Sequence, residues 1–288
     1  MNFTRQYDEY HQAVEAYLDG LFTAKTSWAD LYEAMRYSLL AGGKRIRPVL
    51  TLAFAAAGGA DWRPALPVGC AVELVHTFSL IHDDLPCMDD DDFRRGRPSN
   101  HKAFGETLAV LAGDTLLAEA FGLIANAPGL DAETRIECVR ILSGASGASG
   151  MAAGQVLDTL HAPKTPDELR EVHRLKTGAM IAGSCQLGAA VSGMPGLLSA
   201  AEKYGHGIGL AFQIRDDVLD VTADAAELGK PIGSDKESGK VTYVDLYGVD
   251  KCAELVQACT EEAVAAVSAY DGDGFLTELA RSLSARRK

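Results

Sequence analysis

The sequence predicts an all-α protein, built as a single-domain helical bundle with a central cleft over residues 1–288. Apolar residues recur at helical spacing in most segments, and convincing strand alternation is absent from the sequence. No internal repeat of about 20–50 residues is visible, which argues against a solenoid. With 288 residues, 47% hydrophobic and 23% charged, the chain can bury a large core and has an ordinary globular composition.

Two amphipathic helices are predicted in the N-terminal part. Apolar residues keep helical spacing over residues 3–21 and 29–40. Gly42 and Gly43 end the second helix, because glycine readily adopts the left-handed backbone conformation that follows a helix end. Cations beside the free N–H groups of the next helix form a suitable diphosphate site, the alternative being a basic surface cluster. These cations are Lys44, Arg45 and Arg47.

An apolar helix over residues 68–81 leads into the most acidic stretch, where six aspartates fall within residues 83–92. Pro86 ends the helix, because it lacks an N–H and restricts the residue before it. Asp89 then lies in a turn that can fold back toward Asp83. Close carboxylates repel unless a cation joins them, and hard oxygen ligands suit Mg²⁺ that carries substrate phosphates. A solvated acidic loop is the alternative, above all for residues 90–92.

A second acidic cluster follows more than a hundred residues later. Asp216 and Asp220 are four residues apart, on one face of a predicted helix, with Asp217 between them. Two aspartate-rich helix ends that face one cleft could hold several Mg²⁺ ions around one diphosphate. The pair of clusters is far more specific than either alone.

Three further segments bear on the organisation of the chain. Residues 143–150 consist mostly of glycine, serine and alanine, and we expect a tightly packed helix that continues to Gln155 rather than a domain linker. Residues 180–201 carry no charge over about the length of a membrane span, but glycines and Pro195 interrupt them. We therefore expect a core helix and a turn there. The polar, glycine-containing residues 228–240 suggest a lid.

Charge and cysteine content exclude several classes. The net charge of −13 argues against nucleic acid as a partner, which needs a basic surface. The six cysteines show no C-x-x-C spacing, which is typical of scattered thiols in a reducing compartment, and we expect a cytoplasmic protein. The N-terminus is polar and does not look like a signal peptide, and no transmembrane segment is expected.

These motifs resemble those of bacterial short-chain trans-polyprenyl diphosphate synthases, most closely the farnesyl diphosphate synthase type. The resemblance runs from Gly-Gly-Lys-Arg-Ile-Arg-Pro at residues 42–48 to Gly-Lys-Val-Thr-Tyr at residues 239–243. Asp83-Asp84-x4-Asp89 resembles the first aspartate-rich motif of the family in its longer bacterial form. Asp216-Asp217-x2-Asp220 resembles the second. The resemblance implies an isoprenoid synthase fold, a homodimer, and three Mg²⁺ ions that accompany the bound diphosphate.

The resemblance also implies roles for individual residues. The metal ligands would be Asp83, Asp84, Asp89, Asp216, Asp217 and Asp220. Isopentenyl diphosphate would be bound by Lys44, Arg47, His76 and Arg95. The allylic diphosphate and its developing cation would be met by Arg94, Lys176, Thr177, Gln213 and Lys230, with Gln155 in the pocket and Lys240 as a second lid lysine. The residues expected to act directly in catalysis are Asp83, Asp84, Asp89, Arg94, Lys176, Asp216 and Lys230.

The implied reaction joins isopentenyl diphosphate to dimethylallyl or geranyl diphosphate and gives farnesyl diphosphate. Phe78 lies five residues before Asp83, about 7.5 Å along a helix, and in similar enzymes an aromatic side chain there limits the product to fifteen carbons. A geranylgeranyl diphosphate synthase is the alternative. Less favoured are a terpene cyclase, which lacks the Gly-Gly-Lys-x-x-Arg site, a non-catalytic subunit of a heteromeric synthase, and a His-Asp metal phosphohydrolase.

Overall fold

The computed structural model describes residues 2–222 and 241–285, and over these ranges the chain is a bundle of α-helices with one short β pair. The predicted all-α class is confirmed. Strand β1 (Phe93–Arg94) pairs antiparallel with β2 (Arg97–Pro98) directly after the first acidic stretch. The helices are α1 (Phe3–Asp19), α2 (Ala29–Leu39), α3 (Ile46–Ala55), α4 (Leu66–Asp83), α5 (Asn100–Phe104), α6 (Glu106–Ala125), α7 (Ala132–Ser146), α8 (Met151–Leu160), α9 (Pro166–His173), α10 (Ala179–Ser192), α11 (Leu197–Thr222), α12 (Tyr243–Val267) and α13 (Phe275–Ser284).

The core is built around α4 and α10. Helix α4 packs against α1, α3 and α6, and α10 packs against α3, α7 and α11. Both helices are apolar on most sides, as expected for helices surrounded by protein. Gly188 of α10 has no room for a Cβ atom, which would lie 2.1 Å from the Thr51 carbonyl oxygen of α3. This glycine therefore permits the close α3–α10 contact.

Helix ends follow the local chemistry of the sequence. The side chain of Thr165 caps α9 and that of Thr242 caps α12, each in a reciprocal capping box. Helix α4 ends at Asp83, three residues before Pro86, as the sequence predicts. Helix α10 ends at Ser192, where Gly193 takes the left-handed backbone with φ 64°. The predicted core helix and turn within residues 180–201 are thus confirmed.

The prediction of one continuous helix through residues 143–150 is wrong. Helix α7 ends at Ser146 and α8 begins at Met151, with a turn between them. Gly150 could not carry a side chain in this turn, because a Cβ atom would lie 2.2 Å from the Ala145 carbonyl oxygen. Glycine and serine thus end α7, and Gln155 lies on the separate helix α8.

By length and composition alone, two described helical stretches, Arg63–Asp83 and Glu106–Ala125, could cross a membrane. The first is 67% buried over its most apolar window, as a core helix is. The second is only 33% buried, and Val110 and Leu111 on α6 are 38% and 49% exposed. One or two such helices are weak grounds for a membrane protein.

Candidate active site

A cavity of about 580 Å³ opens between α4, α8 and the turn before α10. This volume is typical of small-molecule sites. The cavity brings together predicted site residues from distant parts of the chain, which are Arg47, His76, Phe78, Asp83, Gln155, Lys176 and Thr177. Polar and charged groups therefore share one space with the apolar side chains of Leu85, Met88, Met151 and Val156.

The first acidic motif folds back on itself at the end of α4. The Asp89 N–H donates to the Asp83 carbonyl oxygen at 2.9 Å, which confirms the predicted turn. Burial raises the pKa of the Asp83 carboxyl from 3.8 to about 6, with Lys176 opposing the rise and Asp89 adding to it. A carboxylate held in this way gains from any cation brought beside it.

Asp84 does not line that cavity and pairs with Arg94. Its side chain is only 3% exposed, and the Arg94 Nε donates to its Oδ1 at 3.0 Å. The Arg94 Nη2 also contacts the same carboxylate and reaches Asp91 at 3.2 Å. The strand pair that follows the motif thus returns Arg94 to the end of α4. Asp84 and Arg94, for which the family resemblance implies roles with metal and diphosphate, are paired with each other here.

Arginines converge on His76, two helical turns before Asp83. Burial, followed by the charges of Arg47 and Arg95, holds the pKa of His76 well below its usual 6.5. At neutral pH the imidazole is therefore uncharged and can donate one N–H. Within the described residues the buried Nε of Arg47 has no hydrogen-bond partner. A buried donor in a field of positive charge favours an anionic ligand.

Arg45 does not belong to this anion site, although it lies between two residues that were predicted to bind substrate. Its side chain is fully buried, and Nε donates to Glu15 at 2.6 Å while Nη1 donates to Glu73 at 2.7 Å. Its Nη2 donates to the Leu39 carbonyl oxygen at 2.7 Å. The three-cation cluster predicted from the sequence is therefore wrong for Arg45, which anchors the loop.

A π-helical turn, Arg174–Gly178, presents Lys176 and Thr177 to the cavity. Such turns widen a helix locally and are frequent at functional sites. The Lys176 Nζ donates to Asp158 on α8 at 2.6 Å. Gly154 allows α8 to approach this closely, because a Cβ atom there would lie 2.2 Å from the Lys176 backbone nitrogen. The position of Lys176 is thus set by α8 and by the π-helical turn that carries it.

The second acidic motif lies near the end of α11, where Gln213, Asp216 and Asp220 are half-buried. Asp217 is buried, and its Oδ2 accepts the Tyr243 N–H at 2.7 Å, which joins α11 to the start of α12. Within residues 2–222 and 241–285, no three His, Cys, Asp or Glu side chains lie close enough to hold a metal ion unaided. Lys230 and Lys240 fall outside the described residues.

Phe78 lines the cavity one helical turn before His82. The two rings meet edge to face with centroids 5.1 Å apart. The His82 Nε2 lies 3.2 Å from the Val110 carbonyl oxygen, and a Cβ atom at Gly113 would lie 2.2 Å from the same nitrogen. Helix α6 therefore fixes His82, and His82 in turn flanks Phe78.

Comparison with known proteins identifies the family of this chain. Residues 29–270 match the family model described as "Polyprenyl synthetase", which is well over half of the chain. The chain belongs to the polyprenyl synthetase family. The resemblance seen in the sequence motifs is thereby confirmed.

Curated members of the family include both shorter-chain and longer-chain synthases. A chloroplastic geranylgeranyl pyrophosphate synthase of Catharanthus roseus is 47% identical over 84% of this chain and 69% of its own length. The farnesyl diphosphate synthase of Geobacillus stearothermophilus is 43% identical over 93% of this chain and 92% of its own.

Solved structures in the family share the whole fold. An FPP/GFPP synthase from Zymomonas mobilis, in its apo structure, has a TM-score of 0.87, 34% identity, and 99% coverage of both chains. A geranyltransferase from Helicobacter pylori, complexed with magnesium and isoprenyl diphosphate, has a TM-score of 0.84 and 32% identity, and covers 98% of this chain and 96% of its own.

Several contacts at this polyprenyl synthetase site were missed from the sequence. The ion pair between Asp158 and Lys176 has no pattern in the sequence, because it depends on how α8 meets the π-helical turn. Tyr7, His11 and Glu15 were given no role, although their spacing of four residues places them on one face of α1. That spacing was the available indication that α1 contacts another part of the chain.

Proposed function

We propose that this polyprenyl synthetase joins isopentenyl diphosphate to dimethylallyl and geranyl diphosphate and releases farnesyl diphosphate. The observation that carries the proposal is the single cavity that combines His76 and Arg47, then Asp83 and Lys176, and then an apolar wall with Phe78. Two charged subsites and one hydrocarbon pocket are what a reaction between two prenyl diphosphates requires.

The residues divide into two binding groups in this proposal. Arg47, His76 and Arg95, with Lys44 in the adjoining loop, bind isopentenyl diphosphate. Lys176 and Arg94 bind the allylic diphosphate and stabilise the negative charge that develops as it departs, with Lys230 added from outside the described residues. Preorganised charge of this kind is usually the largest catalytic contribution. Holding both substrates side by side supplies much of the remainder.

Mg²⁺ fits the acidic side chains as a cofactor shared with the substrate. Its candidate ligands are Asp83, Asp84 and Asp89 from the first motif and Asp216, Asp217 and Asp220 from the second. All are hard oxygen donors, and the raised pKa of Asp83 marks a carboxylate that a cation would stabilise. Because the described carboxylates form no cluster of three, diphosphate oxygens would complete the coordination. When bound, up to three Mg²⁺ ions would neutralise the leaving diphosphate.

The chain's own residues would then protect the allylic cation. Thr177 and Gln213 would offer oxygen dipoles to it, Gln155 would line the same pocket, and Lys240 would help to close the site. The apolar wall excludes water that would quench the cation. Proton removal from the condensed product is assigned to the released diphosphate, since no side chain of the predicted set is placed as the base.

Farnesyl diphosphate is the preferred product because Phe78 lines the cavity, five residues before Asp83 on α4. Geranylgeranyl diphosphate is the second candidate, favoured by the 47% identity to the Catharanthus roseus enzyme. Phe78→Ala is expected to lengthen the product. Phe121→Ala, which removes a half-buried ring of α6 outside the cavity lining, is the matched control.

A homodimer that covers α6 completes the proposal. Val110 and Leu111 on α6 and Ile136 on α7 are exposed apolar side chains, and Ile136 is 68% exposed. A second copy would bury them. All six cysteines are free thiols, in keeping with a cytoplasmic enzyme. Sedimentation of the wild type and of Leu111→Lys tests the dimer, which the lysine should weaken.

The deciding experiment incubates the protein with isopentenyl diphosphate, dimethylallyl or geranyl diphosphate, and Mg²⁺, and identifies the products after dephosphorylation. Farnesol as the main product supports the full proposal. Mainly longer alcohols would retain the reaction but reject Phe78 as the limit. Failure to condense either allylic substrate would reject the proposal and favour a cyclase, tested with the allylic diphosphate alone, or a non-catalytic subunit.

A further inference from the structure

One face of α1 contacts the loop that precedes α3. The Tyr7 hydroxyl donates to the Lys44 carbonyl oxygen, and the His11 Nε2 lies 3.0 Å from the Gly43 carbonyl oxygen. A carbonyl can only accept, so this Nε2 carries the proton. Glu15 accepts from the Arg45 Nε at 2.6 Å. The three α1 residues are spaced four apart and thus form one continuous stripe, Tyr7-His11-Glu15.

The loop needs this support because its backbone is unusual. Gly42 and Gly43 have positive φ angles of 80° and 136°, and Arg45 has a φ of 49°. For a residue with a side chain, the left-handed backbone is sterically strained. Gly43 and Lys44 are exposed and gain little from packing. Polar contacts from outside the loop therefore have to hold its shape.

The stripe is distinct from the surface that fixes α1 in the bundle. Tyr10, Val14 and Leu18 form the neighbouring buried stripe, each 1% exposed or less. Tyr7, His11 and Glu15 are only half-buried. Removing one of their polar groups should leave α1 in place and change the loop.

Arg95 holds the opposite side of the same loop. Its Nη1 donates to the Gly42 carbonyl oxygen, and a Cβ atom at Gly43 would lie 3.1 Å from this Nη1. The loop is therefore clamped between α1 and Arg95. Lys44 within the loop and Arg47 directly after it are the residues assigned to isopentenyl diphosphate.

We propose that Tyr7, His11 and Glu15 are positioning residues for isopentenyl diphosphate, because they hold residues 42–45 in the backbone arrangement from which Lys44 and Arg47 bind it. The inference rests on the proposed function. It adds α1, which carries none of the predicted site residues, to the substrate-binding machinery. Changes in the stripe should weaken the binding of isopentenyl diphosphate and not that of the allylic diphosphate, because the allylic subsite around Lys176 lies on other helices.

The test measures KM for each substrate separately in Tyr7→Phe and His11→Leu. Loss of one hydrogen bond is expected to raise KM for isopentenyl diphosphate about 3- to 10-fold. KM for geranyl diphosphate and kcat should stay within about twofold of the wild type. His11→Gln, which keeps a donor near the Nε2 position, should restore KM. Gln12→Leu, on the exposed face of α1, is the matched control.

Two outcomes would overturn the inference. One is a KM for isopentenyl diphosphate that does not change in either variant. The other is an equal rise in both KM values, which would indicate general damage to the fold. Calorimetric titration with isopentenyl diphosphate gives a readout independent of turnover. If the wild type bound this ligand but formed no product, the proposed function would fail, while weaker binding by His11→Leu would still support the clamp.

Discussion

The raised pKa of Asp83 predicts that its charge destabilises the metal-free protein at neutral pH. Burial raises this pKa from 3.8 to about 6. The folded state therefore holds the proton more tightly than the unfolded chain. It follows that the free energy of unfolding falls as pH rises from about 4 to about 6 and stays low above that range. Asp83→Asn removes the charge and should remove this loss.

The size of the effect follows from the two pKa values. The interval between 3.8 and about 6 corresponds to about 3 kcal/mol, at about 1.4 kcal/mol for each tenfold change in proton affinity. Asp83 lines an open cavity, so solvent screening reduces this to about 1–2 kcal/mol. We therefore expect Asp83→Asn to be more stable than the wild type by that amount at pH 8. The difference should become small at pH 4, where the folded wild type is already protonated.

Urea unfolding followed by circular dichroism, in EDTA at pH 4, 6 and 8, measures this difference. Asp250→Asn, at an exposed position of α12, is the control and should change stability little at any pH. A gain of equal size at pH 4 and pH 8 would refute the reasoning, because it would not arise from ionisation. So would the absence of any gain at pH 8. Activity should be strongly reduced in the same variant, so stability and function would move in opposite directions.

Four further substitutions test the surroundings of the site and the helix ends. Gly154→Ala should cost about 1–3 kcal/mol of unfolding free energy and lower activity, because its Cβ atom would press on the Lys176 backbone. In urea titrations Gly144→Ala, a helix position with nothing within 4 Å, should instead stabilise by about 0.5–1 kcal/mol. Lys176→Met should raise the pKa of Asp83 further, so in EDTA the fall in unfolding free energy between pH 4 and pH 8 should become larger. Thr242→Ala should remove the cap of α12 and cost about 1 kcal/mol, seen as a lower Tm.

Much of the fold could be predicted because helix periodicity and helix breakers are local. The ends of α4 at Asp83 and of α10 at Ser192 follow from Pro86 and from the glycine after Ser192. The turn between α7 and α8 at residues 147–150 was not predicted from the sequence. Small residues permit either close helix packing or a turn, and only the approach of neighbouring helices decides between them.

The candidate site likewise has features that the sequence predicts and features that depend on tertiary contacts. Aspartate spacing indicated the acidic motifs, since carboxylates four residues apart on a helix must share a face. Which partner each group takes depends on tertiary contacts. Arg45 is buried against Glu73, and Asp84 is paired with Arg94, although neither pairing has a short-range pattern in the sequence. The sequence alone does not distinguish the charged residues of one motif. Tertiary contacts decide which of them form structural ion pairs and which can bind substrate or metal.

Helix α4 has a consequence for how such enzymes diversify. Thr77 and Ile81 are buried in the bundle, whereas Phe78 and Ser79 between them border the cavity. Substitutions at the first pair would be selected against through folding. Under the proposed function, substitutions at the second pair would change the space offered to a growing chain at a smaller cost in packing, because Phe78 and Ser79 are only half-buried. Under the proposed function, one or two replacements on the cavity side of α4 would therefore change product length without changing the helices that carry the acidic motifs.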